Sequence, residues 1–165
     1  QRFNHNWADV FTLPEAVVDD SVAVLQGLDG RKMSKSYNNT IPLFLGEKQL
    51  RKSINKIKTN LLEPGEPKDP DDSTVFQVWA AFASADETAR MRRDFENGIA
   101  WGEAKKQLFE LVNGELAASR ERYQQLMDDP AYIEEVLLKG AQRAREYSVP
   151  LMQKVRAGVG IGALR

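Results

Sequence analysis

The sequence has no cysteine and a single histidine, His5. The first absence excludes a disulfide framework, a thiolate zinc site and a cysteine nucleophile; the second excludes any motif built on two histidines. No apolar run reaches the eighteen or so residues that a membrane-spanning helix needs. Charge of one sign is not in excess either, with 23 Lys and Arg against 24 Asp and Glu. Combined with 42% hydrophobic residues, that balance excludes a disordered chain. The 165 residues suffice for one domain with a real core. Absent cysteine fits a reducing compartment, and a cytoplasmic protein is expected. The chain opens on Gln1 and reads as the later part of something longer.

The near-neutral total hides an alternation. Residues 1–30 carry net −4, residues 31–60 net +7, residues 61–87 net −6 and residues 88–165 net +2. A strongly basic block of this kind is a footprint for phosphate; the plain alternative is a solvated basic face. Hydrophobic periodicity divides the chain in two. Residues 1–45 read as irregular or β-like, with short apolar runs at Val10, Phe11 and Leu13 and again over residues 22–28, the second ended by the turn dipeptide Asp29-Gly30. After Gly46, Leu50, Ile54, Ile57 and Leu61 form one helical stripe. Residues 63–72, with three prolines, read as a loop. Ser73 onward reads as helical, with Val75, Phe76, Trp79 and Phe82 on one stripe and capping-box spacing between Ser84 and Glu87. Gly98 then suits a helix stop. A long helix is expected over 101–128, and another from Pro130, broken near Glu146 by Pro150. Trp79, Trp101, Met91 and Met127 are expected in the core. The expected fold is therefore mainly α: a β/loop piece at 1–45, a bundle of four or five helices over 46–157, and a fraying tail at 158–165.

The chemistry lies in Lys32-Met33-Ser34-Lys35-Ser36. Two ammonium groups three residues apart share a short loop with two hydroxyls. Lysine is a flexible point charge that can follow a phosphate through a reaction. Hydroxyls and loop N–H groups can bond phosphate oxygens. An exposed turn with two lysines is the plain alternative.

Read with its flanks as GLDGRKMSKSYNNTIPLF, this segment resembles the second signature of the class I aminoacyl-tRNA synthetases. KMSKSYNNTIPLF is similar to the tryptophanyl-tRNA synthetases of the bacterial and organellar type. So are RFN and VFTLPEA upstream, and LRKSINKIKTN, RERYQQLM and KGAQRAREYS downstream. The resemblance covers nearly the whole chain. It implies activation of tryptophan by ATP with Mg2+, followed by transfer to tRNA(Trp). Lys32 and Lys35 match the two lysines that stabilise the leaving pyrophosphate. Met33 and Ser34 match positions that contact the nucleotide, Ser36 a loop-closing residue, and Val24 an apolar position lining the adenine. Residues 1–45 become the end of a Rossmann-type catalytic domain, and 46–157 the helical domain that reads the anticodon. The family's histidine-containing first signature and its tryptophan pocket match nothing in this sequence. The resemblance therefore implies a C-terminal portion, inactive alone, of an enzyme that is a homodimer when complete.

Other residues invite weaker readings. Lys48, Lys52 and Lys56 recur on one helical face, flanked by Arg51 and Lys58, and suit tRNA phosphates or plain solvation. Lys105, Lys106, Arg120 and Arg122 are further basic candidates. Tyr123 sits on the apolar stripe and is expected buried, His5 is expected at the surface, and no metal site is expected, Asp69, Asp71 and Asp72 forming a solvated acidic loop. Two alternatives to an enzyme portion stay open: a stand-alone helical RNA-binding module derived from a class I synthetase, and a protein-interaction fragment.

Overall fold

A computed structural model describes residues 1–18 and 24–162. Among these residues the chain forms six α-helices and no strand: α1 (Arg2–Asn6), α2 (Glu47–Asn55), α3 (Thr74–Ala80), α4 (Ala85–Glu96), α5 (Trp101–Met127) and α6 (Pro130–Gly158). They fall into two compact units, Asp19–Gln124 and the pair of segments Gln1–Val18 and Gln125–Arg165.

The unit Asp19–Gln124 holds the buried core. Leu50 and Ile54 of α2, Val75 and Val78 of α3, Met91 and Phe95 of α4, and Ala104, Leu108 and Val112 of α5 are all inaccessible or nearly so. The last three recur every four residues, so one face of α5 turns inward. Trp79, Trp101 and Phe82 pack half-buried against this core. The helix starts follow local chemistry. Ser73 accepts from the Phe76 N–H at 3.3 Å, and Ser84 with Glu87 forms a full capping box. The stop after α4 needs a glycine twice over: Gly98 has φ +84, and a Cβ there would lie 2.4 Å from the Gly65 carbonyl carbon. Lys68, 2% exposed, ties the proline-rich loop together by donating to the carbonyls of Glu63 and Glu66, both at 2.9 Å. Its ammonium also lies 5.6 Å from the centre of the Trp101 ring.

Several expectations are corrected here. The apolar run over 22–28 forms no strand where it is described, from residue 24 on; residues 19–23 lie outside the described residues. In place of a strand there is one isolated antiparallel bridge, Gln26 with Lys32. The α2 stripe ends early. Ile57 is buried, but Leu61 is 97% exposed, because the chain leaves the helix at Lys56. The Lys58 N–H then bonds the Leu28 carbonyl at 2.8 Å, a partner from outside the helix. Tyr123 is 40% exposed rather than buried, stacked on Phe44 with ring centres 4.8 Å apart. Met127, expected in the core, is 54% exposed.

In the other unit, the opening residues are helical rather than β-like. Asn4 of α1 accepts from the Phe11 N–H at 3.0 Å and donates to Asp9 at 2.8 Å, folding the following turn back on the helix. Phe3 and Phe11 meet edge to face. α6 begins with Asp129 accepting from the Tyr132 N–H and Pro130 in its first turn, as expected. The expected break near Glu146 does not occur: α6 runs through Pro150 to Gly158. A proline costs the Glu146 carbonyl its helical donor, and Glu146 is exposed, so water can replace it. No residue of α6 is buried; even Leu137 is 66% exposed. A long helix buries a stripe only against a second layer, and one short helix supplies little of that. Of the expected tail, residues 163–165 lie outside the described residues.

Candidate functional site

The lysine segment is the return arm of a small hairpin in the unit Asp19–Gln124. The Gly27 N–H bonds the Arg31 carbonyl and the Met33 N–H the Leu25 carbonyl, each at 2.8 Å. Asp29-Gly30 makes the turn, with Gly30 at φ +83. Leu25 and Met33 face Leu50, Ile54 and Val112 across a small apolar cavity of about 90 Å³, so the hairpin is seated on the core by its apolar side chains. Lys35 opens a 3-10 turn over Lys35–Tyr37, which ends at Asn38 in the left-handed region with φ 52. Asparagine tolerates that conformation better than most residues.

Lys32 and Lys35 are exposed, and their ammonium groups make no hydrogen bond or ion pair with any described residue, although both backbone carbonyls accept one. Their side chains therefore point to solvent from a backbone that is itself fixed. Ser34 and Ser36 share a hydrogen bond between their hydroxyls at 2.8 Å. Val24, 60% exposed, lines a separate hollow with Phe76, Gln77 and Ala81, which no residue from Lys32 to Ser36 lines. The structure thus places Lys32, Met33, Ser34, Lys35 and Ser36 on the return arm, and Val24 on the outgoing arm beside Leu25, whose carbonyl the Met33 N–H bonds.

Sequence reading missed the residues that hold this backbone. Asn39 is 2% exposed. Its side-chain oxygen accepts from the Ser34 N–H at 2.8 Å, and its amide nitrogen donates to Asp29 at 2.7 Å and to the Lys32 carbonyl at 3.2 Å. Asp29 also accepts from the Arg31 N–H at 3.1 Å and pairs with its guanidinium at 2.6 Å. Arg31 in turn lies over the Tyr37 ring. Gly27 leaves the space that Asn39 fills: a Cβ at Gly27 would lie 2.5 Å from the Asn39 side chain. The one signal in the sequence was the Asp-Gly turn; the burial of Asn39 has none.

The hydrogen bond from Asn39, aided by Arg31, holds the Asp29 carboxyl down at about 2. A lowered folded pKa contributes stability above the unfolded value near 3.9 and loses it as pH falls toward 2. The loop is therefore expected to keep its Asp29 contacts at pH 3. A carboxyl titration followed by NMR checks this, with a midpoint near 2 for Asp29.

The basic candidates separate by environment. Lys48 and Lys52 stand exposed on α2, and Lys56 is its exposed C-cap. Arg51 lies over the Phe109 ring at 3.8 Å. Lys105 is structural: it donates to the carbonyls of Asn55 and Ile57 at the end of α2, at 3.1 and 2.7 Å, and burial pushes its pKa down. Arg120 donates to Asn113 at 3.0 Å. His5 is exposed. Asp71 is bound by Arg92, at 2.7 and 3.1 Å, and that pairing lowers its pKa. No group of three metal-ligating side chains comes together among the described residues, and none of their helices is long and apolar enough to cross a membrane.

Residues 1–117 match the family described as tRNA synthetases class I (W and Y), and the chain belongs to that family. Within it, the likeness is to tryptophan–tRNA ligases. That of Neisseria meningitidis is 54% identical over 164 residues, which are 99% of this chain and 49% of that protein. That of Pseudomonas aeruginosa is 52% identical, over 100% of this chain and 38% of that protein. A crystal structure of tryptophanyl-tRNA synthetase from Campylobacter jejuni, complexed with ADP and tryptophan, superposes with a TM-score of 0.77 at 39% identity. It covers 96% of this chain and 50% of that one. The chain thus spans half or less of the length of these relatives.

Proposed function

We propose that this chain is the C-terminal portion of an enzyme that joins tryptophan to tRNA(Trp), and that it supplies the ATP loop and the anticodon-reading helices. In the reaction a tryptophan carboxylate oxygen attacks the α-phosphorus of ATP. The bond to the bridging oxygen breaks and pyrophosphate leaves; a hydroxyl of tRNA then attacks the carbonyl carbon of the adenylate, the ester forms and AMP leaves. Negative charge builds on the leaving diphosphate, and two ammonium groups on a fixed backbone can follow it. Met33 and Ser34 border the nucleotide, Ser36 closes the loop, Val24 lines the adenine, and Mg2+ arrives with ATP. Residues 1–45 belong to the Rossmann-type catalytic domain and 46–157 to the helical domain. The whole enzyme is a cytoplasmic homodimer. The observation that carries this reading is the pair of unpartnered lysines on a pinned hairpin, in a chain so similar to tryptophan–tRNA ligases.

The test is tryptophan-dependent ATP–pyrophosphate exchange. A full-length protein carrying this chain is expected to catalyse it and the 165-residue chain alone is not. No exchange by the first, or exchange by the second, contradicts the reading.

The exposed row Lys48, Lys52 and Lys56 is the candidate tRNA contact. Replacing Lys52 and Lys56 by alanine in the full-length protein should weaken tRNA binding and reduce the slope of log K against log salt by about one to two. Binding measured from low to moderate salt decides it; an unchanged slope leaves these lysines as solvated charge.

A further inference from the structure

The hairpin carries a device beyond its lysines. Among the described residues, Asn39 is the one buried side chain that hydrogen-bonds the backbone on both sides of Met33: the carbonyl of Lys32 at 3.2 Å and the N–H of Ser34 at 2.8 Å. Its own carbonyl accepts from the Leu28 N–H at 2.9 Å, so main chain and side chain both cross the hairpin. We propose that Asn39 is a positioning residue for adenylate formation, holding the backbone from which Lys32 and Lys35 reach the leaving diphosphate. The inference rests on the reading of the lysine loop given above.

The site selects an amide on three grounds. Ser34 needs an acceptor, whereas Lys32 and Asp29 each need a donor, and a side-chain amide offers an acceptor oxygen with two N–H donors where a hydroxyl has only one donor. A carboxylate would lose the donor and face the Asp29 carboxylate across 2.7 Å. A longer side chain has no room, since even a methyl group on Gly27 would collide with the Asn39 side chain. Without the amide, a buried N–H and a carbonyl lose their partners and the segment can drift. Drift of about 1 Å in a group that acts by position can cost about a hundredfold in rate.

The experiment uses the full-length enzyme and the exchange assay. Asn39→Asp is expected to lower kcat about 10- to 100-fold with the KM for tryptophan changed less than about twofold. Adding Asp29→Asn turns the two facing carboxylates back into a donor and an acceptor, and is expected to restore at least about fivefold. An unchanged kcat in Asn39→Asp overturns the assignment. So does a loss that the second substitution leaves in place while the thermal midpoint falls, which marks Asn39 as merely structural. If Asn39→Asp does not fold, Asn39→Ser, neutral and smaller, is read by the same kcat and KM criteria. Lys32→Ala with Lys35→Ala runs beside them. If that pair leaves exchange intact, the lysine reading fails; if it slows exchange and Asn39→Asp does not, only the role of Asn39 fails.

Discussion

Alanine at both Lys32 and Lys35 in the full-length enzyme is expected to slow tryptophan-dependent ATP–pyrophosphate exchange by about 10⁴-fold. The figure follows from the chemistry. One well-aimed group facing charge that develops in a transition state contributes about 10² to 10³ in rate, and the two act on the same diphosphate. Neither lysine's ammonium has a protein partner among the described residues, so truncating the side chains breaks no ion pair among them. The fold should survive, because the hairpin is held by Leu25, Met33, Asn39 and Asp29 rather than by the lysines. Exchange and a circular-dichroism melt on the same sample check both halves: a collapsed rate at an unchanged midpoint.

The second large effect is on stability. Phe95→Ala is expected to cost about 3–5 kcal/mol, near the top of what single substitutions do. Phe95 is fully buried and meets two rings edge to face, Phe76 and Trp101, each with centres 5.6 Å away. Its carbonyl accepts from the Lys68 N–H at 2.9 Å, so α4, the proline-rich loop and the start of α5 all lean on one residue. Whole domains are stable by about 5–15 kcal/mol, and this loss takes a large share of that. Phe95→Leu keeps most of the volume and should cost less than half as much. Leu61→Ala, at a site 97% exposed, should change stability by less than about 0.5 kcal/mol. Urea unfolding of the three variants measures the series; a small loss at Phe95 would mean that the core lies elsewhere.

The sequence made the helices legible where one chemistry decides. Ser84 and Glu87 specify a start whatever surrounds them, Gly98 a stop, and Asp129-Pro130 another start. It misled where a distant partner decides. Leu61 continues the α2 stripe on paper, but Leu28 takes the Lys58 N–H and the helix ends first. Residues 24–28 are apolar enough for a strand, yet a strand needs a neighbour along its length, and among the described residues only the Gln26–Lys32 bridge is present. Pro150 lies in a helix at an exposed stretch, where water can serve the carbonyl of Glu146 that loses its donor. At the site, the lysines were legible because charge and spacing are properties of the sequence. Asn39 was not, because its role depends on being buried against Gly27, Asp29 and Ser34, which a list of residues does not convey.

What the lysines do is tested most directly by single-turnover formation of the adenylate at saturating ATP, with Lys32→Ala and Lys35→Ala each compared with the unaltered full-length enzyme. If these side chains neutralise charge that appears only as pyrophosphate departs, the rate constant falls about 10²-fold or more in each variant while ATP affinity changes only a few-fold. If saturating ATP restores the rate, the lysines only bind the ground-state nucleotide, and the account of this loop is wrong.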